Sequence, residues 1–138
     1  MKGTFYIDSN VFLYPVLYND LKESEKAREI LLQIEGKDIQ AYTSTLTWEE
    51  VSAVVERILG KTDDIEIGKK FLNFPFLRFI PVDDEIIRRS QVIREKYNLK
   101  PRDAIHLSCA IDRNISEIIT DDADFDGIKE IKRVPVNQ

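Results

Sequence analysis

The chain has 138 residues, 43% of them apolar and 33% charged, and a chain of this length buries roughly 70% of its unfolded surface, enough for one domain with a real core. A single cysteine, Cys109, excludes an internal disulfide and fits a reducing compartment. With no signal peptide and no apolar run of about 18 residues, the sequence reads as soluble and cytoplasmic. Twenty basic against 25 acidic residues leave a net charge of −5, which weighs against a polyanionic partner unless several acids are gathered at one site and neutralised by metal.

Five short apolar runs, 4–7, 39–43, 77–80, 117–120 and 131–134, read as strands. Helical patterns lie between them. Residues 10–18 form a short apolar helix disturbed near Pro15, and 24–35 carry Ala27, Ile30, Leu31 and Ile34 at helical spacing with Ser24 as the expected cap. Residues 45–59 carry Val51, Val54, Val55, Ile58 and Leu59 and end at Gly60, and 64–74 form a weaker helix ending before Pro75. Residues 84–97 follow Asp83 or Asp84 as cap, and 101–113 begin with Pro101 in a favourable first-turn position. Strands alternating with helices predict an α/β class: a three-layer α/β/α domain around a mainly parallel sheet of about five strands. No repeat, low-complexity tract or linker divides residues 1–138.

Against this frame, acids stand where acids are costly. The first strand runs out into Asp8-Ser9-Asn10. In open α/β sheets the carboxyl edge of the strands is where ligands bind, and a carboxylate at a helix start stays ionised readily. In Ser44-Thr45-Leu46-Thr47-Trp48-Glu49-Glu50-Val51, about 100° per residue puts Glu49 opposite the Val51/Val54/Val55/Ile58 stripe and Glu50 on its border. Glu49 is therefore expected in solvent and Glu50 at a cleft, the plain alternative being two acids that favour a first helical turn. The helix from Pro101 is small and apolar round most of its circumference, and Asp103 shares a face with Leu107 and Ala110, where an unpaired charge costs several kcal/mol. Finally Glu117-Ile118-Ile119-Thr120-Asp121-Asp122-Ala123-Asp124-Phe125-Asp126 ends a second strand in a cluster of acids. It lacks the glycine, the distal glutamate and the leading helix of a calcium loop.

Carboxylates at two strand ends and two helix starts can share one edge of a doubly wound sheet. Crowded carboxylates raise one another's pKa, so a divalent ion is the economical partner, and hard oxygen ligands suit Mg²⁺ or Mn²⁺ rather than zinc. The lone His106 and Cys109 argue against zinc, and we read His106 as a half-buried helix residue and not as a ligand. Setting Asp8, Glu50, Asp103, Asp122 and Asp124 apart lowers the acids from 25 to 20, which matches the 20 basic residues. Lys69-Lys70, Arg88-Arg89, Arg94 with Lys96 and Lys100 with Arg102 are then available to a phosphate backbone, or else are solvated helix faces.

These segments resemble the PIN-domain family along almost the whole chain. Asp8-Ser9-Asn10 is similar to its opening D-[ST]-[NS], and Ser44 to Val51 to its S-x-x-T-x-x-E-hydrophobic helix start, which selects Glu50. Arg102-Asp103-Ala104-Ile105-His106-Leu107 resembles its D-A-x-h-x-A helix. Thr120-Asp121-Asp122-Ala123-Asp124-Phe125 resembles its T-x-D-x-D-F loop, with Asp122 as the fourth acid and Asp124 an auxiliary. The resemblance implies an endoribonuclease that hydrolyses single-stranded RNA with one or two Mg²⁺ or Mn²⁺ ions and leaves 5′-phosphate and 3′-hydroxyl ends. Its catalytic and metal-binding residues would be Asp8, Glu50, Asp103 and Asp122, with Asp124 a further ligand and Ser9, Asn10 and Thr120 orienting the acids or the scissile phosphate. A chain this short is most similar to the VapC-type toxins of toxin–antitoxin pairs, homodimers silenced by a small antitoxin protein. The alternatives are a stand-alone PIN nuclease of RNA processing or a non-catalytic RNA-binding domain of the same fold. A phosphatase with an aspartyl nucleophile on the first strand usually wants an acid two residues on, where this chain has Asn10.

Overall fold

A computed structural model describes residues 1–137. In chain order it contains β1 (Thr4–Ile7), α1 (Ser9–Leu17), α2 (Lys22–Glu35), β2 (Gln40–Ser44), α3 (Thr45–Leu59), α4 (Lys61–Leu72), β3 (Leu77–Ile80), α5 (Asp84–Lys96), α6 (Pro101–Asp112), β4 (Glu117–Ile119) and β5 (Lys132–Val134), with a short 3₁₀ turn at Ala123–Phe125. All five strands are parallel, in the order β3-β2-β1-β4-β5. The expected α/β class and three-layer architecture are present.

The order explains the layers. From β1 the chain steps through β2 to β3 in one direction, then crosses back to lay β4 on the other side of β1. Crossovers between parallel strands are right-handed, so reversing the direction of travel sends the connecting helices to the opposite face. Accordingly α1 to α4 cover one face, where Phe5 and Ile7 of β1 pack with Val11, Ala27, Ile30, Ile34, Val51, Val55 and Phe71. Helices α5 and α6 cover the other, where Tyr6 packs with Ile86, Ile93, Ala104, Leu107 and Ile118. The strand alternation therefore sends Tyr6 toward α6 and its neighbours away from it. The reversal also makes the gap between the carboxyl ends of β1 and β4 a switch point, where doubly wound sheets bind ligands.

Element ends differ from expectation for local reasons. Gly60, at φ +94°, breaks the chain sharply between two helices, so α4 starts at Lys61 and not near residue 64. Ser24 lies inside α2, whose N-cap is Leu21; its hydroxyl instead donates to the Tyr14 carbonyl and ties α2 to α1. Asp83 caps α5 as expected, accepting from the Ile86 amide at 3.0 Å. Pro15 is carried within α1 and Pro101 occupies the first turn of α6. Among the described residues, no helix is long and apolar enough to cross a membrane.

Candidate metal-binding active site

Three strand ends and one helix start bring the acids to the switch point. First, β1 ends at Ile7, and Asp8 caps α1 with its own carboxylate, accepting from the Ser9 amide at 2.7 Å. Second, β2 gives way to α3 with no intervening loop, so Glu50 lies little more than one helical turn above the sheet edge. Third, β4 ends at Ile119, and Thr120 opens the acidic loop beside Asp8. Helix α6 supplies Asp103 in its first turn from the α5/α6 face.

Thr120 is the joint between the strands. Its hydroxyl donates to Asp8 Oδ2 at 2.7 Å and accepts from the Asp122 amide at 3.0 Å and from Asn10 Nδ2 at 3.2 Å. One donor and two acceptor sites exhaust a hydroxyl, so the single proton is committed to Asp8. Asp8 is buried, with its two oxygens held by Ser9 and Thr120. Asn10 Oδ1 is buried with no protein partner. Asp122 Oδ1 in turn accepts from the Asp124 amide at 2.9 Å. Asp121, in contrast, is tied away from the cluster by the Tyr14 hydroxyl and the Val136 amide, both at 2.8 Å; burial and the Asp121 carboxylate beside it push the Tyr14 hydroxyl's pKa well up.

A rotation of about 100° along α3 separates the two glutamates. The Glu50 side chain is 15% exposed and Glu49 is 47% exposed, paired on the surface with Arg102 at 3.3 Å. A first-turn preference does not account for them, because α3 has no acid in its first turn. The cleft between α3, α6 and the β4 loop, about 430 Å³ in volume, is lined by Glu50, Lys100, Pro101, Arg102, Asp103 and Asp122.

The expected single pocket is subdivided. Side-chain ligand atoms of Asp8, Glu50 and His106 lie within 4.8 Å of one another, as do those of Asp103, Asp122 and Asp124. The halves feel each other: burial, then the charges of Asp122 and Asp8, raise the Asp103 carboxyl from 3.8 to about 6. Asp103 accepts no hydrogen bond from the protein among the described residues, and the charge of His106, which favours its ionised form, is outweighed by burial and by Asp122 and Asp8. Asp124, the auxiliary acid, is exposed.

The reading of His106 as half-buried is corrected. It is 1% exposed and stands inside the acid group, with Nε2 at 2.7 Å from Glu50 Oε1 and 3.6 Å from Asp8 Oδ1. Its Nδ1 is 2.6 Å from the hydroxyl of buried Tyr6. Burial alone would lower the imidazole pKa, but the Glu50 hydrogen bond and the charges of Asp8, Glu50 and Asp103 outweigh it and raise the value. The signal was present in the spacing: His106 is three residues after Asp103 on one helix face, and Tyr6 is two before Asp8 on one strand face.

The donor set is one that a hard divalent cation fits: carboxylate oxygens from both halves, a charge on Asp103 with no cation paired to it, and no soft ligand. Beyond His106, no basic side chain forms an ion pair with Asp8, Glu50, Asp103, Asp122 or Asp124 among the described residues.

No curated protein sequence matches the chain. Solved structures do. A toxin–antitoxin complex from Klebsiella pneumoniae is 22% identical with a TM-score of 0.67, over 93% of this chain and 95% of the other. DNA-bound VapBC from Salmonella typhimurium is 17% identical with a TM-score of 0.74, over 96% and 98%. A Mycobacterium tuberculosis VapC toxin described as cleaving the sarcin–ricin loop is 13% identical with a TM-score of 0.73, over 92% and 96%. The family model of the PIN domain matches residues 5–131, which run from β1 through β4 and hold the acids of the cleft but stop short of β5, and the chain belongs to the PIN domain family.

Proposed function

We propose that this protein is a metal-dependent endoribonuclease acting on single-stranded RNA, and that it is the cytoplasmic toxin of a toxin–antitoxin pair. The observation that carries the reading is that two neighbouring acid groups, Asp8 with Glu50 and Asp103 with Asp122, stand at the switch point, with no lysine or arginine paired to them among the described residues and with Lys100 and Arg102 on the cleft wall. These four acids, with Asp124, would hold one or two Mg²⁺ or Mn²⁺ ions. Such an ion supplies an acidified water and a sink for charge developing on the phosphoryl oxygens.

The chain's own residues do the rest. Thr120 and the Ser9 amide hold both oxygens of Asp8 in place, and Asn10 holds Thr120. Lys100 and Arg102, on the wall of the cleft, supply the cations that hold the phosphate backbone there. A toxin–antitoxin complex is among the solved structures of this fold, and an antitoxin and a second copy of this chain are the partners we assign. An apolar groove lined by buried Phe12 and half-buried Pro15, Val16, Leu31, Ile67 and Phe74 offers the antitoxin a docking surface.

Magnesium-dependent digestion of total RNA, with mapping of both new ends, tests the reading. Cleavage in Mg²⁺ or Mn²⁺ that EDTA stops, leaving 5′-phosphate and 3′-hydroxyl ends, is expected. A parent protein that leaves RNA intact in both ions sinks it.

A further inference from the structure

His106 sits among carboxylates that a cation would bind, and its role follows from counting protons. Glu50 is a carboxylate and can only accept, so at 2.7 Å the hydrogen between them resides on Nε2. Nδ1 is taken by the Tyr6 hydroxyl at 2.6 Å, as acceptor if the ring is neutral and as donor if it is charged. In either state both ring nitrogens are committed and no lone pair faces the cleft. The Tyr6 hydroxyl is itself held by Ser44 Oγ at 2.9 Å, and Ser44 is the last residue of β2, from which α3 and Glu50 spring. Tyr6, Ser44 and His106 are all fully buried, and the two rings meet edge-on at 5.5 Å. The line therefore begins and ends at the same junction, and it fastens one oxygen of a flexible side chain. Glu50 Oε2 has no protein hydrogen-bond partner among the described residues, and Glu50 lines the cleft.

We infer that Tyr6 and His106 are positioning residues: a hydrogen-bonded line from Ser44 through Tyr6 and His106 holds Glu50 Oε1, so that Oε2 alone is presented to a divalent cation, and His106 is not itself a ligand. This rests on the metal site proposed above. Partners that orient a ligating side chain in this way typically change metal affinity by 10–100-fold when removed.

The test is Mn²⁺ titration by calorimetry of the whole chain, as parent, His106→Ala, His106→Gln and Tyr6→Phe, with thermal melting of each. His106→Ala should weaken Mn²⁺ binding about 10–100-fold. His106→Gln, whose amide N–H can still donate to Glu50, should recover much of that loss, and Tyr6→Phe should weaken binding by a smaller factor. Equal losses in the Gln and Ala variants would mark the imidazole as a ligand and overturn the inference. Parent-like Mn²⁺ affinity in both variants, with only the melting temperature lowered, would overturn it too, by leaving the line a purely structural role. A parent that binds no Mn²⁺ removes it along with the metal site. A parent that binds Mn²⁺ but does not cut RNA defeats the nuclease reading and leaves this inference standing on the titrations.

Discussion

Asp103→Asn tests the electrostatics of the site without any substrate. In the metal-free fold the Asp103 carboxyl is raised from 3.8 to about 6, first by burial and then by Asp122 and Asp8. A native acid that resists ionisation lowers stability as pH rises from its unfolded to its folded pKa; below about 4 the effect is absent, and above about 6 it is complete. About two pKa units correspond to about 3 kcal/mol, and because the group is only half-buried, solvent screening reduces this to roughly 1–2 kcal/mol. Asn is close to isosteric, carries no charge, and displaces no protein hydrogen bond at this position. The variant should therefore melt higher than the parent at pH 8 in EDTA, by roughly 3–8 °C at about 3–4 °C per kcal/mol for a chain of this size. At pH 4 the two should coincide. Saturating Mg²⁺ should reverse the order, because a ligand at 100 times its Kd adds about 2.7 kcal/mol to the parent. Circular-dichroism melts at the two pH values, with EDTA and with Mg²⁺, measure all three. A variant less stable than the parent at pH 8 in EDTA, or a difference equal at both pH values, would refute the reasoning.

Asp8→Asn should reduce RNA cleavage to background in a gel assay with the fold retained. It should not share the stability gain, since an amide can accept at only one of the two oxygens held by Ser9 and Thr120, and the loss should be about 1 kcal/mol. Glu49→Gln should change cleavage little and stability by less than about 1 kcal/mol, because it removes an exposed pair with Arg102; Glu50→Gln should cut activity at least about 10-fold, and the reverse pattern would defeat the helix-face argument. Lys100→Ala and Arg102→Ala should each raise KM for RNA and lower the slope of log affinity against log salt by about 1; slopes equal to the parent's would remove them from the backbone path. Asp121→Asn should cost about 1 kcal/mol through its Tyr14 and Val136 hydrogen bonds and leave cleavage intact.

The elements were legible because their signals are local. Short apolar runs located all five strands, and period-3.6 patterns all six helices, to within a few residues among the described residues. Misplaced ends, such as the start of α4 and the cap expected at Ser24, came from backbone conformation and from a tie between helices, neither of which a pattern records. The separation of Glu50 from Glu49 was also local, being a rotation of 100° on one helix.

The composition of the site belongs to the sequence: which acids end strands or open helices, which face each glutamate takes, and the absence of soft ligands are properties of short segments. Their grouping belongs to the fold. Reversing the direction of travel at β1 brought β4 beside it, set Thr120 on Asp8, and turned α6 to the opposite face from α3. That placed His106 between Glu50 and Tyr6, which lie 44 residues apart in the chain. Periodicity assigns a side chain to a face of its own element; which faces meet depends on strand order and crossover hand, and these act over distances no sequence window spans.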